Sequence, residues 1–95
     1  MPEIEATVYF CCLEAIQNAA KHAGPDAQVS IRLWEQDGTL LFEVRDDGRG
    51  FDPHASGGGA GLANMRDRVG ALGGQLQLDA AVGRGAAVIG GVPLR

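Results

Sequence analysis

Val44-Arg45-Asp46-Asp47-Gly48-Arg49-Gly50-Phe51-Asp52 closes an alternating run that begins at Leu40 and leads on to the glycine cluster Gly57-Gly58-Gly59-Ala60-Gly61. Leu40, Phe42 and Val44 alternate with Leu41, Glu43 and Arg45, and a side-chain period of two puts the even-numbered row on the core face of a strand. Asp46 continues that row. A carboxylate at the buried end of an apolar row is costly unless something hydrogen-bonds to it, which requires a backbone partner or a ligand. Gly48 and Gly50 remove the Cβ atoms that would hold a flat ligand away from the backbone. Asp46 therefore reads either as an acceptor on the floor of a ligand pocket or as a strand-ending cap of a tight turn.

The 95 residues read as one domain, residues 1–95, long enough to bury about 65 % of the unfolded surface in one core. A net charge of −4 opposes non-specific attraction to nucleic acid, so an anionic ligand has to be held locally. No apolar run approaches a membrane span and nothing at the start reads as a signal peptide, which predicts a cytoplasmic domain without direct membrane contact. Cys11 and Cys12 are adjacent, a spacing that suits neither a zinc site nor a structural disulfide, and both read as free thiols.

Upstream of this strand, residues 2–23 carry a helical pattern, with Pro2 in the first turn, Glu3 and Glu5 at the positive end of the dipole, and Gly24-Pro25 as the stop. Val8, Tyr9, Cys12, Leu13, Ile16, Ala19 and Ala20 cover a broad apolar sector. Thr7, Glu14, Asn18, Lys21 and His22 share the remaining arc, which either meets solvent or lines a site. A hairpin follows: Val29, Ile31 and Leu33 alternate with polar residues, Asp37-Gly38 turns, and the partner strand runs over 39–46. Trp34 and Leu41 fall on the face away from the core, either as a cross-strand pair or under cover from another segment.

Downstream, Leu62, Met65, Val69 and Leu72 recur at helical spacing, and Gly73-Gly74 ends the helix. Glycines before this helix leave its first N–H groups open to a phosphate. A second hairpin closes the chain, with Leu76, Leu78 and Ala80 alternating, Gly83-Arg84-Gly85 turning, and an apolar strand over 86–94. One apolar row per strand and one apolar sector per helix predict a two-layer α/β sandwich with a mixed or antiparallel sheet and both helices on one face.

Three motifs stand out: Glu14-x-x-x-Asn18-x-x-Lys21-His22, Asp46-x-Gly48-x-Gly50, and Gly59-x-Gly61-Leu62-x-x-Met65. In this order and spacing they resemble the N, G1 and G2 boxes of the GHKL ATPase superfamily, the Bergerat ATP-binding fold. Within it the chain is most similar to the catalytic ATP-binding domain of two-component sensor histidine kinases with a short ATP lid. The resemblance covers nearly the whole chain, but the strand and helix that typically lead this fold are expected to be missing, so the domain reads as N-terminally truncated. It implies that Asn18 coordinates Mg²⁺ on the phosphates, that Glu14 lies beside the reacting group, and that Lys21 and His22 flank the phosphates. Asp46 would accept from the adenine amine, with Gly48 and Gly50 giving the base close backbone approach. Gly59 and Gly61 would let a lid over 52–61 close, ordering as the N–H groups around Gly61 and Leu62 meet the triphosphate.

The resemblance further implies ATP and Mg²⁺ as cofactors and phosphoryl transfer to a histidine on a separate dimerisation domain of the same kinase. A response regulator would receive the group indirectly, with no nucleic acid involved. Neither His22 nor His54 resembles that acceptor. An anti-sigma-factor serine kinase and a non-catalytic, nucleotide-gated interaction module are the alternatives.

Overall fold

A computed structural model of the protein describes residues 2–22, 24, 26–49, 59–80 and 83–94. Element order is α1 (Pro2–His22), β1 (Val29–Gln36), β2 (Thr39–Asp46), α2 (Gly59–Ala71), β3 (Gln75–Ala80) and β4 (Ala86–Pro93). The strands form one sheet in the order β1-β2-β4-β3, every neighbouring pair antiparallel. Both helices lie on one face, giving the two-layer arrangement that the patterning predicts.

The turns are set by local backbone chemistry. Asp37 and Gly38 both take positive φ, 54° and 75°, the two left-handed positions that let a two-residue turn follow the strand twist. That turn fixes the register so that Leu33 faces Phe42 and Val29 faces Asp46. At the end of α2, Gly74 N–H donates to the Val69 carbonyl at 2.9 Å and Gly73 N–H to the Gly70 carbonyl at 3.0 Å. Gly73 has φ 79°, which completes a left-handed helix cap.

Registers put Phe42 beside Gly90 and Val44 beside Val88. Phe42, Met65, Val69 and Val92 have no exposed surface. Each such side chain contributes on the order of 2 kcal/mol by leaving water. The β2–β4–β3 half of the sheet is thus sealed by α2 and the inner stripe of α1.

The α1 sector is placed differently from the expectation. Its buried stripe is Ile4, Val8, Cys11, Ala15 and Ala19, joined by Thr7 from the predicted polar arc, while Tyr9 is 70 % exposed. Helical periodicity marks a wide apolar sector but not which part of it meets the sheet. Tyr9, Leu13 and Ile16 instead line an apolar groove of about 430 Å³ with Ile31 and Leu33. The β1 row consequently faces the helix layer without being covered by it. On the outer face the register makes Trp34 and Leu41 a cross-strand pair, with the Arg32 guanidinium 4.6 Å from the Trp34 ring centroid.

Helix α2 also begins earlier than expected. Gly59 and Gly61, read from sequence as loop, lie in its first turn. Glycine is a poor helix former, so local propensity does not report this start.

A Cβ on Gly74 would run into the Gly91 carbonyl oxygen and approach Val69 Cγ1 to 2.9 Å, whereas one on Gly70 would meet nothing within 4 Å. Gly74→Ala is expected to lower stability by about 1–3 kcal/mol through overpacking. Gly70→Ala, at a compatible helical position, should raise it by about 0.5–1 kcal/mol. Thermal melts of the two variants check this, and equal melting temperatures would sink the packing account.

Candidate functional site

Asp46 ends β2 on the helix-facing side and is only 9 % exposed. Its Oδ1 accepts a hydrogen bond from Gly48 N–H at 2.9 Å. The cap that was one reading of this residue is therefore present. It uses one carboxylate oxygen and leaves the other reading intact, because a carboxylate has a second oxygen with its own lone pairs.

Several contacts hold this strand end. Gln28 N–H donates to Asp47 Oδ1 at 2.7 Å, and Asp47 N–H donates to the Gln28 carbonyl at 3.2 Å. Gly83 N–H donates to the Arg49 carbonyl. Gly85, at φ 76°, lies where a Cβ would overlap the Asp46 carbonyl oxygen, so the β3–β4 turn closes on the strand end only with glycine there. Gly24, just past α1, is seated against the Arg49 side chain, whose Nε would lie 3.2 Å from a Cβ at that position. From sequence these glycines signal turns, and nothing in their spacing says that two of the loops converge on Asp46.

The Gly24–Arg49 approach puts the C-terminal end of α1 beside the C-terminal end of β2. Glu14 and Asn18 are half-buried on the flank of α1, one helical turn apart, and Lys21 is exposed beyond them. Helix α2 runs the other way. Its exit at Gly74 lies against Gly91, which pairs with Leu41 near the opposite end of β2, and Arg68 rests on Phe10 of α1. Thirteen residues span about 20 Å, so the first turn of α2 leads back toward the Asp46 end.

Three sequence motifs are thus gathered at one end of the molecule: the second half of α1, the end of β2, and the start of α2. Leu62 is half-buried and packs against the core from that first turn. Gly50 and the lid residues 52–58 lie outside the described residues. The backbone of His22 closes α1, and Gly59 and Gly61 contribute helical backbone.

The helix ends differ electrostatically. Glu3 and Glu5 occupy the first turn of α1, but the first turn of α2 carries no acidic residue. The positive end of the α1 dipole is therefore answered by its own side chains, whereas the first turn of α2 carries no carboxylate of its own. Among the described residues no group of three or more His, Cys, Asp or Glu side chains is placed to hold a metal ion. None of the described helices is long and apolar enough to cross a membrane.

Residues 3–95 match the family described as "Histidine kinase-, DNA gyrase B-, and HSP90-like ATPase". Over 72 residues, 76 % of this chain, the sequence is 42 % identical to the signal transduction histidine-protein kinase/phosphatase UhpB of Salmonella typhimurium. The chain spans only 14 % of that relative's length. Among solved structures it is similar to the histidine kinase domain of a blue-light activated histidine kinase from Erythrobacter litoralis EL346. That likeness has a TM-score of 0.83 and 29 % identity, covering 97 % of this chain and 45 % of the other. The mycobacterial sensor histidine kinase MprB matches with a TM-score of 0.75 and 28 % identity, over 93 % of this chain and 70 % of that one.

Beneath the Glu14 flank, burial raises the Cys11 thiol from 9.0 to about 11, with the neighbouring Cys12 adding to the rise and Arg68 opposing it. A thiol raised by folding contributes stability fully present below its unfolded pKa near 9 and lost as pH rises through about 11. Denaturant melts should therefore show stability falling from pH 9 to pH 11. Cys11→Ala should lose stability at pH 7 through the cavity but flatten that fall. An unchanged slope in the variant would remove Cys11 as its source.

Proposed function

Because the chain belongs to the family of histidine kinase-, DNA gyrase B- and HSP90-like ATPases, we propose that it binds ATP at the junction of α1, β2 and α2. We further propose that it serves as the catalytic domain of a sensor histidine kinase. In this reading it passes the γ-phosphoryl group to a histidine on a separate helical dimerisation domain of the same kinase, and a response regulator receives the group from there. The observation that carries it is Asp46, a nearly buried carboxylate at the end of a core-facing row, with one oxygen satisfied by its own turn.

Adenine would be read by the second oxygen of Asp46, which accepts from the exocyclic amine, while Gly48 and Gly50 let the base approach the backbone. Backbone N–H groups of the α2 first turn, from Gly59 and Gly61 to Leu62, would face the phosphates. Lys21 and His22, on the last turn of α1, would flank them. Phosphoryl transfer asks the protein for positioning and charge neutralisation, which this set supplies without a nucleophile of its own.

The donor set fits Mg²⁺. That ion keeps several waters and phosphate oxygens and takes one or two protein oxygens, so it needs no all-protein cage. Asn18 would hold it through the amide oxygen, and Glu14, one turn away, would accept hydrogen bonds from metal-bound water or from the reacting group. When bound, the ion would neutralise charge on the phosphates. The similarity to histidine kinases supports this reading over a serine kinase or a non-catalytic nucleotide-gated module.

Asp46→Asn is the sharpest test. Asparagine keeps an oxygen for Gly48 N–H but replaces the second acceptor with an NH₂ group, so the fold should survive. ATP affinity should fall by about 1–3 kcal/mol, the range for losing a hydrogen bond to a charged, buried group. Unchanged affinity by calorimetry, together with a large drop in melting temperature, would make Asp46 a structural cap alone. Asn18→Ala should abolish Mg-dependent phosphoryl transfer and spare metal-free nucleotide binding. Transfer is read with the full kinase, Mg-ATP and detection of acid-labile phosphate on the helical domain, and metal-free binding by calorimetry without the ion; transfer at the wild-type rate would remove Asn18 from the metal site.

A further inference from the structure

Arg68 lies outside all three motifs, yet its guanidinium carbon is 4.1 Å from the centroid of the Phe10 ring. Phe10 stands one helical turn before Glu14, which stands one turn before Asn18, so the three form a continuous ridge along α1. Arg68 sits in the last turn of α2, and the first turn of the same helix points at the far end of that ridge. Leu62, Met65, Val69 and Leu72 bury the apolar face of α2, and the close approach of Gly74 to Gly91 holds its C-terminal end against the sheet. The Arg68–Phe10 stack adds a contact between α2 and α1 themselves. A cation over a ring face is directional.

We propose that Arg68, stacked on Phe10, is a positioning residue that sets the first turn of α2 against the Glu14–Asn18 flank and thereby tunes the site for phosphate-bearing nucleotides. The proposal rests on the nucleotide-binding reading above. Its chemistry separates it from the bland role of Arg68, a cation that stabilises the negative end of its own helix. Replacing Phe10 leaves that role untouched and removes the stack, together with part of the packing of Phe10 on the core, which the unfolding midpoints register. If the stack positions α2, the loss must appear where α2 meets ligand, at the phosphates, and not at the base, which Asp46 holds from β2.

The test uses the full kinase and four variants. Arg68→Gln and Phe10→Leu remove the cation or the ring face, whereas Arg68→Lys and Phe10→Tyr preserve a cation over a ring. Affinities for Mg-ATP and for adenosine are measured by calorimetry, with unfolding midpoints recorded alongside. Arg68→Gln and Phe10→Leu should each weaken Mg-ATP binding about two- to fivefold, the range expected for one exposed cation–ring contact. Adenosine binding should not change. The double variant should be no weaker than the single ones, because both remove the same contact, and the conservative pair should retain wild-type affinity. Equal weakening of adenosine and Mg-ATP, additive losses, or Phe10→Leu indistinguishable from wild type would overturn the positioning role. Failure of the wild-type kinase to bind Mg-ATP would overturn the site itself and this role with it.

Discussion

The Phe42 ring occupies the space over Gly90, where any side chain would overlap it. Much of the domain depends on that one contact. Phe42 has no exposed surface, and the β2–β4 register that sets it beside Gly90 also sets Val44 beside Val88. Both helices then settle on a face whose tallest feature is a ring lowered into the sheet by a missing Cβ. Two residues further along the same row is Val44, and two beyond that is Asp46. Because the pleat has a period of two, seating Phe42 in the core commits Asp46 to the same side. The position of the carboxylate is therefore a consequence of packing four residues away.

In the proposed site, the cap made by Asp46 would also orient the carboxylate for a ligand. A carboxylate with neither oxygen satisfied would be costly at this burial and would drive the strand end to rearrange. Gly48 N–H removes that cost on one side at 2.9 Å and at the same time fixes the carboxylate plane, so the remaining oxygen has a defined direction. The Gln28–Asp47 exchange and the close approach of Gly85 hold the backbone that carries it. An acceptor meant to read one amine gains more from being fixed than from being free, since the ordering has been accomplished before the ligand arrives.

How legible this was from sequence varies with the kind of physics involved. Asp37-Gly38 encodes its turn by local sterics alone, and with it the β1–β2 register; whether Trp34 and Leu41 pair or are covered by another segment stays open in the sequence. Gly73-Gly74 encodes the end of α2 in the same way. Helix faces were less readable. Tyr9, Leu13, Cys11 and Ile4 all belong to an apolar helix, and only the position of β1 and β2 beneath it decides that Cys11 and Ile4 are buried while Tyr9 meets solvent. The start of α2 at Gly59 and the stacking of Arg68 on Phe10 depend on tertiary contacts between residues far apart in the chain, which no local period reports. The motif residues were legible as types and spacings, and their gathering at one end of the sheet follows from α1 ending, β2 ending and α2 beginning there.

Under the proposed function an acidic chain holds a polyanion, which requires its positive potential to be concentrated in one place. Net charge is −4, and a net field of that sign would repel a triphosphate at long range. At the scale of a closed pocket the net charge matters less than the groups within a few ångströms, because salt screens the rest over about 8–10 Å. Glu3 and Glu5 are placed at the N-terminus of α1, away from the junction, where they answer that helix's own dipole. The first turn of α2 has no acidic residue, and Lys21 is exposed in the last turn of α1. The same excess of carboxylates that keeps the surface from binding polyanions indiscriminately thus places none in the first turn of α2. Under the proposed function, an anion at that helix end would also have to present an amine to Asp46, and that joint requirement would make a weakly attractive, acidic surface selective for a purine nucleotide.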